Sequence, residues 1–137
     1  MNRFDGMIAR ELSEKALQLA TQYPVVTITG PRQSGKTTFC RMLFQDRAYV
    51  SLEDLDQREF ARRDPRGFLS RFPGGAVIDE IQRVPELLSY IQTIVDGEHW
   101  EGLFILTGSQ QFELLEGITQ SLAGRTALLR LLPFSLA

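Results

Sequence analysis

The chain is short of several things. Its 137 residues include one cysteine, Cys40, which rules out an internal disulfide framework. Cys40 falls in a helical stretch and is expected to be a small buried apolar residue. One histidine, His99, stands beside Trp100 in a polar loop with no matching ligands, so it reads as structural. No run of 18 apolar residues occurs, so no transmembrane helix is read, and the opening Met-Asn-Arg-Phe-Asp-Gly has no apolar signal core. Neither sign of charge dominates. Fifteen Lys and Arg face 17 Asp and Glu, a net charge of −2, which gives no chain-wide footprint for nucleic acid and leaves only a local basic patch open. There is no internal repeat, linker or low-complexity segment. At 43% hydrophobic residues the chain can bury one domain's core, and a cytoplasmic, membrane-free protein is expected.

What is present is concentrated near residue 30. Gly30-Pro31-Arg32-Gln33-Ser34-Gly35-Lys36-Thr37 is a complete G-x-x-x-x-G-K-[ST] loop. The β-branched run Tyr23 to Thr29 before it reads as a strand, and Thr37 to Phe44 after it reads as a helix. Gly30 and Gly35 permit backbone angles that other residues resist, so the amides from about Gln33 to Thr38 can turn inward around phosphate oxygens. Pro31 has no N–H and only shapes the loop. The helix N-terminus places partial positive charge beneath the phosphates. Lys36 is expected at the β/γ-phosphates and the Thr37 hydroxyl on Mg²⁺.

Elsewhere helices and strands alternate. Helical spacing covers 8–21 and a helix follows the loop over 35–45. Residues 53–72 are charged and helical in places, with breaks expected at Pro65 and Gly67; further helices are read over 85–97 and 110–122. Strands are read at 24–29, 47–52, 76–79, 103–107 and 127–132. Such alternation predicts an α/β fold, a parallel sheet covered on both faces in a three-layer sandwich. Ligands bind at the carboxyl ends of such strands, where the polar clusters 30–38, 79–80 and 107–109 fall.

The apolar strand Gly75 to Ile78 ends in Asp79-Glu80. Asp79 is assigned to Mg²⁺, directly or through water, and Glu80 to the attacking water as general base. Thr107 and Ser109 end the fourth strand. A hydroxyl there can touch the γ-phosphate or orient water, or Ser109 can simply cap the next helix. Arg125 can reach a neighbour's nucleotide as a trans finger, or be a surface or ion-paired residue. Arg130, inside an apolar strand, is expected at an edge or paired. Arg58, Arg62, Arg63, Arg66 and Arg71 alternate with acids and read as a solvated helix face rather than a nucleic-acid patch. No Asn-Lys-x-Asp guanine-selecting segment is present, so adenine is the default base.

Thr29 to Thr38, Val77-Ile-Asp-Glu-Ile-Gln-Arg-Val-Pro-Glu-Leu-Leu88, Ile105 to Ser109 and Ser121 to Arg125 with Leu132-Pro-Phe134 together resemble the AAA+-type P-loop ATPase domain of a bacterial and archaeal family of predicted ATP-binding proteins. The resemblance covers almost the whole chain. It implies a five-stranded P-loop NTPase sheet of order 5-1-4-3-2, with the Walker B strand separated from the Walker A strand by the fourth. It implies Glu80 as base, Ser109 as first sensor and Arg125 as finger. It also implies ATP and Mg²⁺ as ligands, homo-oligomers, and an unknown protein partner or C-terminal domain. The chain is expected to be the core, residues 1–137, without the C-terminal lid and further domain of such proteins. The expected activity is Mg²⁺-dependent ATP hydrolysis. The alternatives are a nucleotide-binding switch with little turnover and a truncated inactive fragment.

Overall fold

The computed structural model describes residues 3–31, 35–98, 101–109 and 112–131. Five parallel strands form its centre: β1 (Val25–Thr29), β2 (Ala48–Ser51), β3 (Ala76–Asp79), β4 (Phe104–Gly108) and β5 (Thr126–Arg130). Their order is β2-β3-β4-β1-β5, the expected 5-1-4-3-2. The three inner strands β1, β3 and β4 are buried at every position, whereas edge strand β2 is buried only at Val50 and edge strand β5 alternates buried with more exposed residues. Continuous apolar runs are what a strand covered on both faces requires. Arg130 is exposed on edge strand β5, as expected of an arginine in an apolar strand.

Alternation along each strand sends side chains to opposite faces. Ala76, Ile78, Phe104, Leu106 and Val50 join one core, which is closed by α3 (Leu55–Arg63), α4 (Pro65–Ser70), α5 (Leu87–Glu98) and α6 (Phe112–Leu122). Val77, Ile105, Val26 and Ile28 join the other, beneath α1 (Arg3–Ala20) and α2 (Lys36–Leu43), with Ala16, Cys40 and Phe44 fully or almost fully buried there. Cys40 is the buried small apolar residue expected.

The expected break near 65–67 falls one residue earlier. Asp64 ends α3 and caps α4, its Oδ1 accepting from Gly67 N at 3.0 Å, and Pro65 occupies the first turn. A proline there loses no helical hydrogen bond, so α4 continues through Gly67. A short 3-10 turn, Ile81–Arg83, precedes α5. The arginines of α3 and α4 are largely exposed but not idle. The Arg71 guanidinium lies 4.8 Å from the ring centres of Phe60 and Phe68, and Arg58 Nε donates to Leu52 O at 2.9 Å. No helix among the described residues is long and apolar enough to cross a membrane.

Candidate functional site

The site lies where β1, β3 and β4 end at one edge of the sheet. Thr29 and Gly108 are in register, and Gly30 N donates to Gly108 O at 3.3 Å, so the loop after β1 leaves beside the end of β4. Of that loop, Gly30, Pro31 and Gly35 are described, whereas Arg32, Gln33 and Ser34 lie outside the described residues. Gly35 has φ 83 and serves as the N-cap of α2. This left-handed conformation strains any residue with a Cβ, which gives the motif glycine its reason. Lys36 opens α2 and is 6% exposed. Its Nζ donates to Gly30 O and Pro31 O, each at 2.9 Å, so the ammonium sits inside the loop's curve. Thr38 is exposed on the first turn of α2.

Asp79, 5% exposed at the end of β3, is ringed by hydroxyls. Thr37 Oγ1 donates to its two oxygens at 3.1 and 3.0 Å, Tyr49 Oη donates to Oδ2 at 3.0 Å, and Thr107 Oγ1 donates to Oδ1. Tyr49, Asp79 and Thr107 share the α1/α2 face of the sheet because each has the same parity as the residues packed there. Burial, reinforced by the Asp79 charge and hydrogen bond, pushes the Tyr49 phenol up to about 12 and keeps it a donor. Burial and then Asp79 push the Cys40 thiol up to about 12 as well, so Cys40 is a neutral packing group rather than a nucleophile.

Thr37 and Asp79 offer adjacent hard oxygens, 3.0–3.1 Å apart. Two neighbouring ligands of an octahedral Mg²⁺, each at about 2.1 Å, stand about 3.0 Å apart. The pair therefore fits the ion expected of it.

Glu80 follows with φ 61 and ψ 51, the only non-glycine residue with positive φ among the described residues. That conformation costs about 1–3 kcal/mol and persists only where neighbours hold it. Here Thr107 Oγ1 accepts from Glu80 N at 3.0 Å while donating to Asp79, so one fully buried hydroxyl ties both acids together. The Glu80 Oε2 accepts from Gln82 Nε2. Ser109 N donates to Gln82 Oε1 at 3.4 Å, and the buried Ser109 Oγ has no partner among the described residues. An unsatisfied buried hydroxyl at a strand end is a mark of a place for a ligand.

The structure thus brings together Gly30, Lys36, Thr37, Asp79, Glu80, Thr107 and Ser109. It does not bring Arg125 to them. Arg125 precedes β5 at the sheet's amino edge, five strand steps, roughly 16 Å, from Arg130, which is in register with Thr29. It forms a two-pronged ion pair with Asp96, at 2.6 and 3.1 Å, and donates to Ala123 O at 3.0 Å. Two residues went unassigned from the sequence. Tyr49 carries the same parity as Ser51, which lies opposite Asp79 on β3, but only the strand order reveals that it meets the acid. Gln82 lies within the Asp-Glu-Ile-Gln segment, yet spacing alone gives it no role. His99 lies outside the described residues.

Comparison with known proteins bears on this arrangement. A family model described as an AAA domain matches residues 22–137. Two uncharacterized proteins, Rv2008c of Mycobacterium tuberculosis and Mb2031c of Mycobacterium bovis, are each 32% identical over 123 residues, 89% of this chain. The chain spans 28% of the length of each. Among solved structures, a DNA replication initiation factor superposes with a TM-score of 0.61 at 18% identity, covering 96% of this chain and 47% of its own. The Walker-type ATPase paby2304 of Pyrococcus abyssi superposes with a TM-score of 0.55 at 20% identity, covering 90% and 52%. At those identities the likeness is one of fold. The sheet order agrees with it, and the family match extends over most of the residues that build the sheet and its loops: this chain belongs to the AAA domain family of P-loop, nucleotide-binding proteins.

Proposed function

We propose that this chain binds ATP with Mg²⁺ and hydrolyses its β–γ phosphoanhydride. The observation that carries this reading is the Asp79 carboxylate facing the Thr37 hydroxyl, one residue from the buried Lys36 ammonium. Lys36 exchanges the Gly30 and Pro31 carbonyls for phosphate oxygens. Thr37 and Asp79 would hold Mg²⁺, and the chemistry it would supply is compensation of phosphate charge. Glu80 takes a proton from water as the water oxygen bonds to the γ-phosphorus and the bridging oxygen leaves with ADP. Ser109 Oγ donates to the γ-phosphate, which satisfies its buried oxygen. Arg125, at the far edge of the sheet, serves a nucleotide held by a neighbouring copy, a role that requires release from Asp96. Coupling to a partner protein belongs to the same proposal.

The test is calorimetric titration with Mg·ATP beside Lys36→Ala, followed by phosphate release on the same samples. Binding lost in Lys36→Ala, with release that falls steeply to a measurable residue in Glu80→Gln while affinity persists, is the expected result. General-base loss lowers turnover by about 10²–10⁴-fold. Release at the wild-type rate in Glu80→Gln would defeat the mechanism, and binding without any release would make the chain a nucleotide switch.

A further inference from the structure

We infer that Gln82 is a positioning residue that fixes the Glu80 carboxylate and ties it to the segment ending β4. The inference rests on the hydrolytic reading of Glu80 and adds a residue to it. Gln82 is half-buried in the 3-10 turn after β3. Its amide makes two contacts of opposite kind: Nε2 donates to Glu80 Oε2, and Oε1 accepts from Ser109 N at 3.4 Å. The orientation of the amide is not arbitrary. A carboxylate can only accept and a backbone N–H can only donate, so each partner selects one end of Gln82. Room for this bridge depends on Gly108, where a Cβ would stand 2.9 Å from Gln82 Oε1.

The bridge supplies what Glu80 otherwise lacks. Thr107 anchors its backbone nitrogen, but the only hydrogen bond to its side chain among the described residues comes from Gln82. With Oε2 engaged, Oε1 remains to accept a water proton. Misplacing a reacting group by about 1 Å can cost on the order of 100-fold in rate. The other end of the amide rests on the backbone of Ser109, so displacement of Ser109 toward a phosphate moves the group that holds the base. A glutamate in place of Gln82 keeps its shape and can still accept from Ser109 N, but it sets an acceptor against Glu80. A packing role would survive that change.

The experiment measures steady-state phosphate release and calorimetric Mg·ATP affinity for the wild type, Gln82→Glu, Gln82→Leu, Glu80→Gln and the double variant Glu80→Gln/Gln82→Leu. Both Gln82 variants are expected to lose about 10–100-fold in kcat with ATP affinity within about twofold of wild type. On the Glu80→Gln background, Gln82→Leu should cause no further loss, because the two groups act as one unit. If Gln82→Leu does not fold, the near-isosteric Gln82→Glu carries the test alone. Wild-type turnover in Gln82→Glu, affinity falling in step with kcat, or an equal further loss in the double variant overturns the inference while leaving Glu80 as base. A wild type that binds but never releases phosphate overturns both readings.

Discussion

Thr107→Val should weaken the protein more than its small chemical change suggests. Valine matches threonine in shape and strand preference, so β4 keeps its packing, and the loss is confined to one fully buried hydroxyl. That hydroxyl both accepts from Glu80 N and donates to Asp79. An orphaned buried N–H costs about 1–3 kcal/mol, and a hydrogen bond to a charged group contributes about 1.5–3 kcal/mol. The terms are not additive, since Thr37 and Tyr49 still hold Asp79. A net loss of about 2–4 kcal/mol follows. For a chain of this length about 3–4 °C of melting temperature accompanies each kcal/mol, so the drop should be roughly 6–16 °C by calorimetry without nucleotide. Turnover should fall about tenfold or more as the positive-φ backbone of Glu80 loses its anchor. Thr107→Ser, which keeps the hydroxyl and sacrifices a buried methyl, should lose about 1 kcal/mol, about 3–4 °C of melting temperature, yet retain turnover. A valine variant that melts and turns over like the wild type, or a serine variant that loses as much activity, refutes the reasoning.

Arg125→Ala should lower turnover, and mixing it with Lys36→Ala should restore part of it, since the latter supplies an intact arginine to a neighbour that still binds nucleotide. A loss that mixing leaves untouched assigns Arg125 to its ion pair with Asp96 alone. Alkali should destabilise the fold through two groups. The Cys40 thiol and the Tyr49 phenol rise from 9.0 and 10.0 to about 12 on folding, so the unfolded chain releases its protons first. Stability is complete below those ordinary values and is lost as pH climbs towards about 12. Melting temperatures across that window should fall, and Tyr49→Phe should flatten the portion above about pH 10; an identical slope in the variant would count against a raised, part-buried phenol.

Much of this architecture was legible because its signals are local. A β-branched run, a glycine-rich loop and a helix occur in one stretch of chain, and the acids end a short apolar strand at the right distance. The sheet order came from resemblance to a family. The contacts of Tyr49 and Gln82 were hidden, because they depend on which strands lie side by side and on side-chain reach across 30 and 27 residues of sequence. The break between α3 and α4 was misplaced by a residue or more because Asp64 caps one helix while ending the other, and glycine at 67 suits that cap. The position of Arg125 at the sheet's amino edge follows from the parallel register of β1 and β5.

The lysine folded onto its own loop and the aspartate encircled by hydroxyls have a thermodynamic consequence. Each buried charge has hydrogen-bond partners within the chain itself, so neither relies on a ligand for them. On the proposed function, association would be an exchange: carbonyls surrender an ammonium to phosphate, and hydroxyls surrender a carboxylate to a cation. On that reading the affinity for nucleotide would be the remainder between contacts broken and contacts made. An exchange of that kind would let products leave as well as substrate enter, which the proposed turnover requires.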